Sequence, residues 1–324
     1  MSGGAAAEIS VVLATSDRGV VLEPLEHYRR QTVAERIEVI LVAPPGELAK
    51  IDPAAYPELH ALRLVEAPAP FGLAAARARG ALAGSAPWVF VGETHSFADP
   101  RLAERLLEAV ARAPAGERPH GLVPAIYNVN PSGAISWASF LIDYGAWGPG
   151  HSGAVTYPPI YNALFDRTLL ERLGDELIPA MSPHDDSVFP MPIDGSHRAL
   201  FVPEARIGHL NIVRFGDLAR TKCWLGMAIG DARARRWSWP RRLAYAAAAP
   251  AIAAVLLVRY GRVYRVARRQ QALPPAVAPL LAVGAAVRVA GETIGYLGMM
   301  PGSVEGKLER LEIHKVDFVP GWSA

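Results

Sequence analysis

Two residues with metal-binding side chains follow a short apolar run in the first third of the chain. Residues 88–91 (WVFV) have the composition of a buried strand, and Gly92 then leads into a polar tip that carries Glu93 and His95. If the chain stays extended through this tip, the two-residue period of a strand places both side chains on one face. A carboxylate oxygen and an imidazole nitrogen there predict a site for one divalent cation, with an ordinary polar loop as the alternative.

The pattern of a helix start comes directly after the tip. Asp99 is expected to cap this helix and Pro100 to occupy its first position. Leu102, Leu106 and Val110 are spaced as its apolar stripe. The polar tip therefore lies between a strand end and a helix start, which is where open α/β sheets bind ligands.

The preceding segments alternate between strand and helix patterns. Apolar runs predict strands at residues 9–14, 37–43, 62–66 and 88–91, and an alanine- and arginine-rich stretch predicts a helix at residues 72–83. Nearly continuous apolar strands separated by helices indicate an α/β fold with a parallel sheet. Ligands are then expected at the carboxyl ends of the strands.

Composition restricts the class of protein. The chain has 324 residues, of which 51% are hydrophobic, enough for a sizeable core. A single cysteine, Cys223, excludes a disulfide framework and a zinc site built from several thiolates. The first residues, MSGGAAAE, lack the basic flank of a signal peptide, so a cytosolic globular part is expected.

Positive charge is concentrated in one part of the chain. Between His209 and Gln270 there are 13 Lys and Arg residues and 2 Asp residues, a net charge of +11, although the whole chain carries only +2. An acidic globular part with a basic C-terminal part predicts an anionic partner, either phospholipid or polyphosphate.

Three motifs, in this order, resemble the inverting family 2 glycosyltransferases of the GT-A fold. The first strand is followed by a polar loop at residues 15–17, a helix carries Ala-Arg-Ala-Arg-Gly at residues 76–80, and the strand at residues 88–91 ends in Glu-Thr-His. The family usually has Asp-x-Asp at this last place, followed, as here, by Asp-Pro. The resemblance covers residues 9–211 and implies a Rossmann-like, mostly parallel sheet flanked by helices.

The resemblance also implies roles for individual residues. The implied metal ligands are Glu93, His95 and His209, with Mn²⁺ (or Mg²⁺) as cofactor; imidazole ligands make Mn²⁺ the better fit. The implied catalytic base is Asp186, with Asp185 as its helper. The remaining candidates contact the nucleotide-sugar donor (Thr15, Ser16, Asp17, Arg77 and Glu93) or the acceptor (Asn162 and Trp224).

Several of these residues also have ordinary structural interpretations. Taken alone, His209 is more often a satisfied structural histidine than a ligand, Asp185 and Asp186 fit a helix cap at a Ser-Pro turn, and Arg77 fits a solvated helix face. Ala43 departs from the family pattern, because members often have an acidic residue there that contacts uracil. Either the base is read differently or the base is not uracil.

Composition divides the chain into a predicted glycosyltransferase domain at residues 1–215 and a basic, apolar, helical region at residues 216–324. Arg and Trp are interleaved at residues 233–242, which is typical of a membrane interface, and uncharged stretches follow at residues 243–258 and 273–287. Both stretches are shorter than the ~20 residues of a membrane span. We expect helices that lie in or dip into the cytoplasmic leaflet; two spans, or helices packed on the soluble domain, are the alternatives. The uncharged stretches argue against nucleic acid as the partner.

The expected function is metal-dependent, inverting transfer of a sugar from a nucleotide-diphosphate sugar to a lipid-linked or cell-surface polysaccharide acceptor at the cytoplasmic membrane face. The alternative is a membrane-bound pseudoenzyme that binds nucleotide sugars or a partner protein without turnover, which the altered metal motif and Ala43 favour. A nucleotidyltransferase fits less well, because the loop at residues 15–17 is not a Gly-rich phosphate loop. The pattern of residues 303–324 indicates no role.

Overall fold

The computed structural model describes residues 6–113, 119–155, 158–182 and 199–322. Within these ranges nine strands form one sheet. The strands are Ile9–Ala14 (β1), Ile37–Ala43 (β2), Ala61–Glu66 (β3), Trp88–Val91 (β4), Ser96–Ala98 (β5), Gly121–Asn128 (β6), Ala154–Val155 (β7), Ala163–Asp166 (β8) and Ala199–His209 (β9). The helices are Arg18–Arg29 (α1), Leu73–Ala83 (α2), Leu102–Arg112 (α3), Ala134–Asp143 (α4), Arg167–Arg172 (α5), Leu177–Ala180 (α6), Phe215–Arg236 (α7), Trp239–Ala247 (α8), Ala249–Gln270 (α9), Val277–Tyr296 (α10) and Ser303–Ile313 (α11).

The sheet has the order β3-β2-β1-β4-β8-β6-β9-β5, and β7 pairs with β9. β3, β2, β1 and β4 run parallel, and β8 lies antiparallel between β4 and β6. β9 is parallel to β6. The carboxyl ends of β1, β4, β6 and β9 therefore share one edge of the sheet. The predicted α/β class is confirmed.

The sequences of β1 and β2 are almost entirely apolar because helices cover both faces of the sheet. Every residue of β1 and β2 is buried. In β1, Val11 and Leu13 join a cluster with α1, α3 and α4, whereas Val12 and Ala14 face α2 and α5. Alternate side chains thus enter two different apolar layers, which explains the absence of a polar face in these strands.

The helix after the polar tip begins later than predicted. Arg101 is its N-cap residue and α3 starts at Leu102, so Asp99 does not cap it. The Asp99 carboxylate instead accepts a hydrogen bond of 2.6 Å from the Tyr127 hydroxyl. Leu106 is buried as predicted. The Asp99 carboxylate is thus bound by Tyr127 of β6 and does not accept a hydrogen bond from the backbone of α3.

The C-terminal region is more helical than its apolar stretches indicate. α9 extends through the arginine-rich sequence at residues 259–269, and the buried residues of α9 and α10 join the apolar cluster that contains α4. α7 and α10 cross closely at glycines: a Cβ at Gly226 would clash with the backbone of Arg288, and one at Gly291 with the backbone of Cys223. The predicted domain boundary falls at the start of α7 and stays a prediction.

One described helix, Val277–Tyr296, is long and apolar enough to cross a membrane, and 39% of its apolar window is buried in the protein. The pair Trp239–Ala247 and Ala249–Gln270 meets the same criterion only when taken together, and it is bent by 62°. Length and composition are therefore weak evidence for membrane spans here.

Candidate metal site

Glu93 and His95 are brought together by a turn. The chain does not stay extended through the tip: β4 ends at Val91, the chain turns at Thr94 and His95, and β5 begins at Ser96. The turn still places both side chains on the same side, with His95 Nε2 3.7 Å from a carboxylate oxygen of Glu93. Glu93 and His95 are therefore close together as predicted, but a turn brings them together and not the alternation of an extended strand.

His209 reaches the same place from the end of β9. It lies opposite Ser96 in the β5–β9 pairing and opposite Asn128 in the β6–β9 pairing. Its Nε2 atom is 3.8 Å from the other carboxylate oxygen of Glu93. One ligand atom from each of Glu93, His95 and His209 lies within 4.8 Å of the others, and all three side chains are buried. We call these three residues the metal cluster.

Neighbouring side chains hold the Glu93 carboxylate. One oxygen accepts a hydrogen bond of 2.8 Å from the Tyr144 hydroxyl, and the other accepts hydrogen bonds from Ser96 Oγ (2.8 Å) and Asn162 Nδ2 (2.6 Å). Asn162 has a φ of 56°, a conformation that asparagine adopts more readily than most residues. These contacts fix the orientation of the carboxylate, as outer partners do at metal sites.

The hydrogen-bond network assigns the tautomer of His209. Nδ2 of Asn211 donates to Asn128 Oδ1 (2.9 Å) and to the His209 carbonyl (2.7 Å). Asn211 Oδ1 therefore faces His209 Nδ1, 2.9 Å away, and accepts its proton. The Nε2 lone pair of His209 is thus directed towards Glu93, which is the arrangement of a metal-ligating imidazole.

Electrostatics keep both imidazoles neutral. Burial lowers the pKa of His95 and of His209 well below the usual range, and the positive charge of Lys315 lowers the pKa of each further. Burial and the Glu93 charge raise the pKa of Tyr144, so its hydroxyl remains a donor. Neutral imidazole and ionised carboxylate are the protonation states that bind a divalent ion.

The cluster fits a divalent transition metal. Among the described residues, Nε2 of His95 and Nε2 of His209 have no hydrogen-bond partner although both atoms are buried. A buried polar atom without a partner is costly, and a metal ion bound between these atoms would remove that cost. One carboxylate with two imidazoles suits Mn²⁺ better than Mg²⁺, which prefers oxygen ligands.

The residues predicted to contact the donor lie at the same edge of the sheet. Thr15 and Asp17 shape the loop after β1: Thr15 Oγ1 donates to the Asp17 carbonyl (2.7 Å), and Asp17 caps α1. Arg77 is buried, with its guanidinium 3.7 Å from the centre of the Tyr161 ring and 3.8 Å from the carboxylate of Glu312. The solvated-helix interpretation of Arg77 is therefore wrong, whereas its contact with a donor stays a prediction.

The other predicted site residues have different surroundings. Asn162 contacts Glu93, as described above, and Ser16 lines a surface cavity next to α11. Trp224 packs against an apolar cluster that includes Leu308, and Lys307 lies over its ring. Asp185 and Asp186 lie outside the described residues. The proposed contacts of these residues with substrates stay predictions.

The C-terminal region supplies residues that the sequence did not indicate. A cavity of about 260 Å³ adjoins the metal cluster and is lined by Glu93 and His209. Charged residues from distant elements complete its wall: Asp143, Lys222, Arg288, Glu312 and Lys315. Lys222 Nζ lies 2.5 and 2.6 Å from the two carboxylate oxygens of Asp143. Lys222 and Lys315 outweigh burial, which acts to raise the pKa of Asp143, and so lower that pKa.

Comparisons with known proteins give matches to solved structures only. No family model and no curated protein matches the chain. The chain is similar to the mannosyltransferase PcManGT from Pyrobaculum calidifontis, solved in complex with GDP-Man and Mn²⁺: the identity is 17%, the TM-score is 0.45, and the match covers 90% of this chain and 73% of that one.

Staphylococcal proteins give matches of the same level. For S. aureus TarS the identity is 12%, the TM-score is 0.46, and the match covers 91% of this chain and 56% of that one. For residues 1–349 of TarS the identity is 12%, the TM-score is 0.44, and the coverage is 91% and 93%. Similarity at this level assigns no activity to the chain.

Proposed function

We propose that this chain is a metal-dependent, inverting glycosyltransferase that uses a nucleotide-diphosphate sugar. The observation that carries the proposal is the metal cluster: a buried carboxylate and two neutral imidazoles at the carboxyl edge of an α/β sheet, with unpartnered Nε2 atoms in the described part of the chain. The three residues also stand at the positions that the family 2 resemblance implies for its metal ligands. This agreement between chemistry, place in the fold and sequence motif supports donor binding at this edge.

The side chains suggest how such a donor would be held. Glu93, His95 and His209 would hold the ion, which when bound neutralises charge on the leaving diphosphate. Arg77 would add positive charge from α2, since two of its guanidinium nitrogens have no hydrogen-bond partner among the described residues. The loop after β1, with Asp17, would border the nucleotide.

The proposed catalytic base is Asp186, with Asp185 next to it. Inversion requires a carboxylate that accepts the proton of the acceptor hydroxyl while this hydroxyl attacks the anomeric carbon opposite the leaving group. The acceptor would be a lipid-linked or cell-surface saccharide. The support for these roles is the sequence resemblance alone.

A panel of UDP-, GDP-, dTDP- and CDP-sugars tests donor binding. We expect one nucleotide to raise the melting temperature of the purified protein with Mn²⁺ present and to have little effect without it, because a ligand that binds only the native state stabilises that state. Free Mn²⁺ is the control for metal binding alone. The proposal fails if a folded sample is stabilised by none of the four nucleotide classes.

Ala43 favours a second candidate, a pseudoenzyme that binds nucleotide sugars or a partner protein without turnover. Ala43 is fully buried in β2, and its carbonyl accepts a backbone hydrogen bond from Ala67. The position therefore offers no carboxylate to a nucleotide base. This candidate predicts metal-dependent donor binding without release of nucleoside diphosphate.

We also propose that the protein acts at the cytoplasmic membrane face. Supporting this, residues 232–291 contain no Asp or Glu. One side of α9 is a stripe of exposed apolar and cationic residues: Val255, Val258, Arg259, Arg262, Arg265 and Arg269. Trp239 and Leu243 of α8 are also exposed. Apolar side chains next to arginines suit an interface with anionic lipid.

Binding to lipid vesicles tests the membrane proposal. We expect sedimentation with anionic vesicles, weaker with neutral ones, and weaker with salt. The double variant Arg262→Glu/Arg265→Glu should bind at least about tenfold more weakly, since each basic residue near such a surface contributes about 1 kcal/mol. The matched control is Arg30→Glu/Arg112→Glu, which changes two exposed arginines, one at the C-cap of α1 and one at the end of α3. Equal losses in both double variants would contradict the proposed surface.

A further inference from the structure

The C-terminal segment Ser303–Phe318, which comprises α11 and the short turn after it, is attached to the candidate site. Thr94 Oγ1, inside the metal-binding turn, lies 3.1 Å from the carbonyl oxygen of Glu312 and 3.0 Å from that of Ile313, 218 and 219 residues away in sequence. The hydroxyl proton is shared between these two acceptors. His314 Nδ1 also lies 3.7 Å from a carboxylate oxygen of Asp17. The segment therefore contacts both the metal cluster and the loop after β1.

Lys315 is the lysine of this segment that faces the candidate site. It is only 5% exposed, and it lines the cavity beside Glu93 and His209. Across the described ranges, its ammonium group makes neither an ion pair within 4.0 Å nor a hydrogen bond. An ammonium group that lines a cavity without a direct partner is available to a ligand of opposite charge.

The other cations around the cavity have partners. Lys222 is paired with Asp143, and Arg288 Nε lies 3.1 Å from a carboxylate oxygen of Glu292. Lys315 therefore contributes a positive charge that nearby carboxylates leave unmatched at short range. Lys315 lines the same cavity as Glu93 and His209, next to the metal cluster.

Arg77 and Glu312 form a long ion pair near Lys315. The guanidinium lies 3.8 Å from the Glu312 carboxylate, too far for a hydrogen bond, and Glu312 Oε2 has no hydrogen-bond partner among the described residues. Burial raises the pKa of Glu312. Arg77 therefore also retains donors for an incoming anion, on the side of the site that faces α2.

We infer that Lys315 binds the diphosphate group of the donor, next to the metal cluster. The inference rests on the proposed function, because it requires a donor at this edge of the sheet. A divalent ion held by one carboxylate keeps a net positive charge, and Lys315 adds a second. Two adjacent positive charges match two linked phosphates, and lysine binds phosphate oxygens as a compact charge with rotatable donors.

The same arrangement assigns a role to residues 303–318. The contact of Thr94 with the backbone at the end of α11, together with the packing of Leu311 and Ile313 in the apolar core, places Lys315 near Glu93. The C-terminal segment then contributes a side chain that binds the donor, in addition to packing against the sheet domain.

Binding of Mn²⁺ and of inorganic pyrophosphate, measured by calorimetry on the full chain, tests the inference. In Lys315→Met the affinity for pyrophosphate with Mn²⁺ present should fall about 10- to 100-fold, as expected for loss of a charged hydrogen bond. The affinity for Mn²⁺ alone should stay the same or increase, because a nearby positive charge is removed. Lys315→Arg should keep most of the pyrophosphate affinity. Lys307→Met, an exposed lysine of α11, is the matched control and should bind both ligands normally.

Stability gives a second readout. Because Lys315 makes no direct ion pair or hydrogen bond among the described residues, the melting temperature of the ligand-free Lys315→Met protein should change little, whereas loss of a structural lysine would lower it clearly. If the methionine variant does not fold, Lys315→Gln is used and should lose the same pyrophosphate affinity.

The outcomes separate the inference from the proposed function. Wild-type protein that binds neither Mn²⁺ nor nucleoside diphosphates would contradict the proposed function. Wild-type protein that binds Mn²⁺ and pyrophosphate, with a Lys315→Met variant of equal pyrophosphate affinity, would overturn the inference alone. An equal loss of Mn²⁺ and pyrophosphate affinity in Lys315→Met would also overturn it, because Lys315 would then act on the metal cluster.

Discussion

Glu93→Gln is expected to abolish Mn²⁺ binding, measured by electron paramagnetic resonance of the free ion. Glu93 lies between the two histidines of the cluster, with carboxylate oxygens 3.7 Å from His95 Nε2 and 3.8 Å from His209 Nε2, and it supplies the cluster's only negative charge. The amide is nearly isosteric and leaves two neutral imidazoles to hold the ion. The loss should exceed the about 10- to 100-fold that removal of an outer partner causes.

Two outer partners provide a graded comparison. Tyr144→Phe removes one hydrogen bond to Glu93, and Asn211→Ala removes the acceptor that fixes the His209 tautomer. Each should weaken Mn²⁺ binding by about 10- to 100-fold while leaving detectable affinity. A Glu93→Gln protein that is folded by circular dichroism and binds Mn²⁺ like wild type would show that the cluster is not the metal site.

Asp186→Asn is expected to lower sugar transfer by about 10²- to 10⁴-fold without loss of donor binding. The carboxylate is the proposed general base, and this range is the usual contribution of such a group. The amide cannot accept the acceptor proton but preserves size and polarity. Transfer is measured as Mn²⁺-dependent release of nucleoside diphosphate, and donor binding as thermal stabilisation.

Asp185→Asn is the matched control for the base. As the neighbouring helper, Asp185 should show a smaller loss than Asp186. Full transfer activity in Asp186→Asn would overturn the proposed mechanism, and the reverse order of the two losses would assign the base to Asp185.

The parallel half of the sheet is predictable from sequence because its strands are buried on both faces. Residues 9–14, 37–43 and 88–91 are nearly all apolar, with Ser10 and Glu38 as the exceptions, and the structure has β1, β2 and β4 at these bounds. The signal is local and strong, since burial on both faces favours apolar side chains at nearly every position, and the buried Ser10 and Glu38 are joined by a hydrogen bond of 2.6 Å. Helix starts are less certain from sequence: Asp99 looked like a cap, but its carboxylate pairs with a tyrosine on another strand.

The metal cluster is partly predictable for the same reason. Glu93 and His95 are close in sequence, and the resemblance to a family pointed to His209. Three residues that orient them, Tyr144, Asn128 and Asn211, carry no motif that indicates this role. Single polar residues on different strands become neighbours only through strand register, which the sequence does not display.

The contribution of the C-terminal region was missed for a related reason. Lys315 and Glu312 are isolated charges in a segment whose pattern alternates between charged and apolar residues. Thr94, which contacts this segment at Glu312, lies 218 residues earlier in the chain. Composition indicated only the basic and apolar character of residues 216–324. Its packing against α4, which aligns Lys222 with Asp143, depends on tertiary contacts.

The central claim is that this chain transfers a sugar from a nucleotide donor with the help of a metal ion. The most direct test incubates the purified protein with each of the four nucleotide-sugar classes and a membrane-lipid extract, with and without Mn²⁺, and quantifies nucleoside diphosphate and glycosylated lipid. We predict that one donor is consumed only when Mn²⁺ is present, with sugar appearing in the lipid or saccharide fraction. A protein that binds a donor with Mn²⁺ but releases no nucleoside diphosphate from any donor would contradict transfer and support binding without turnover.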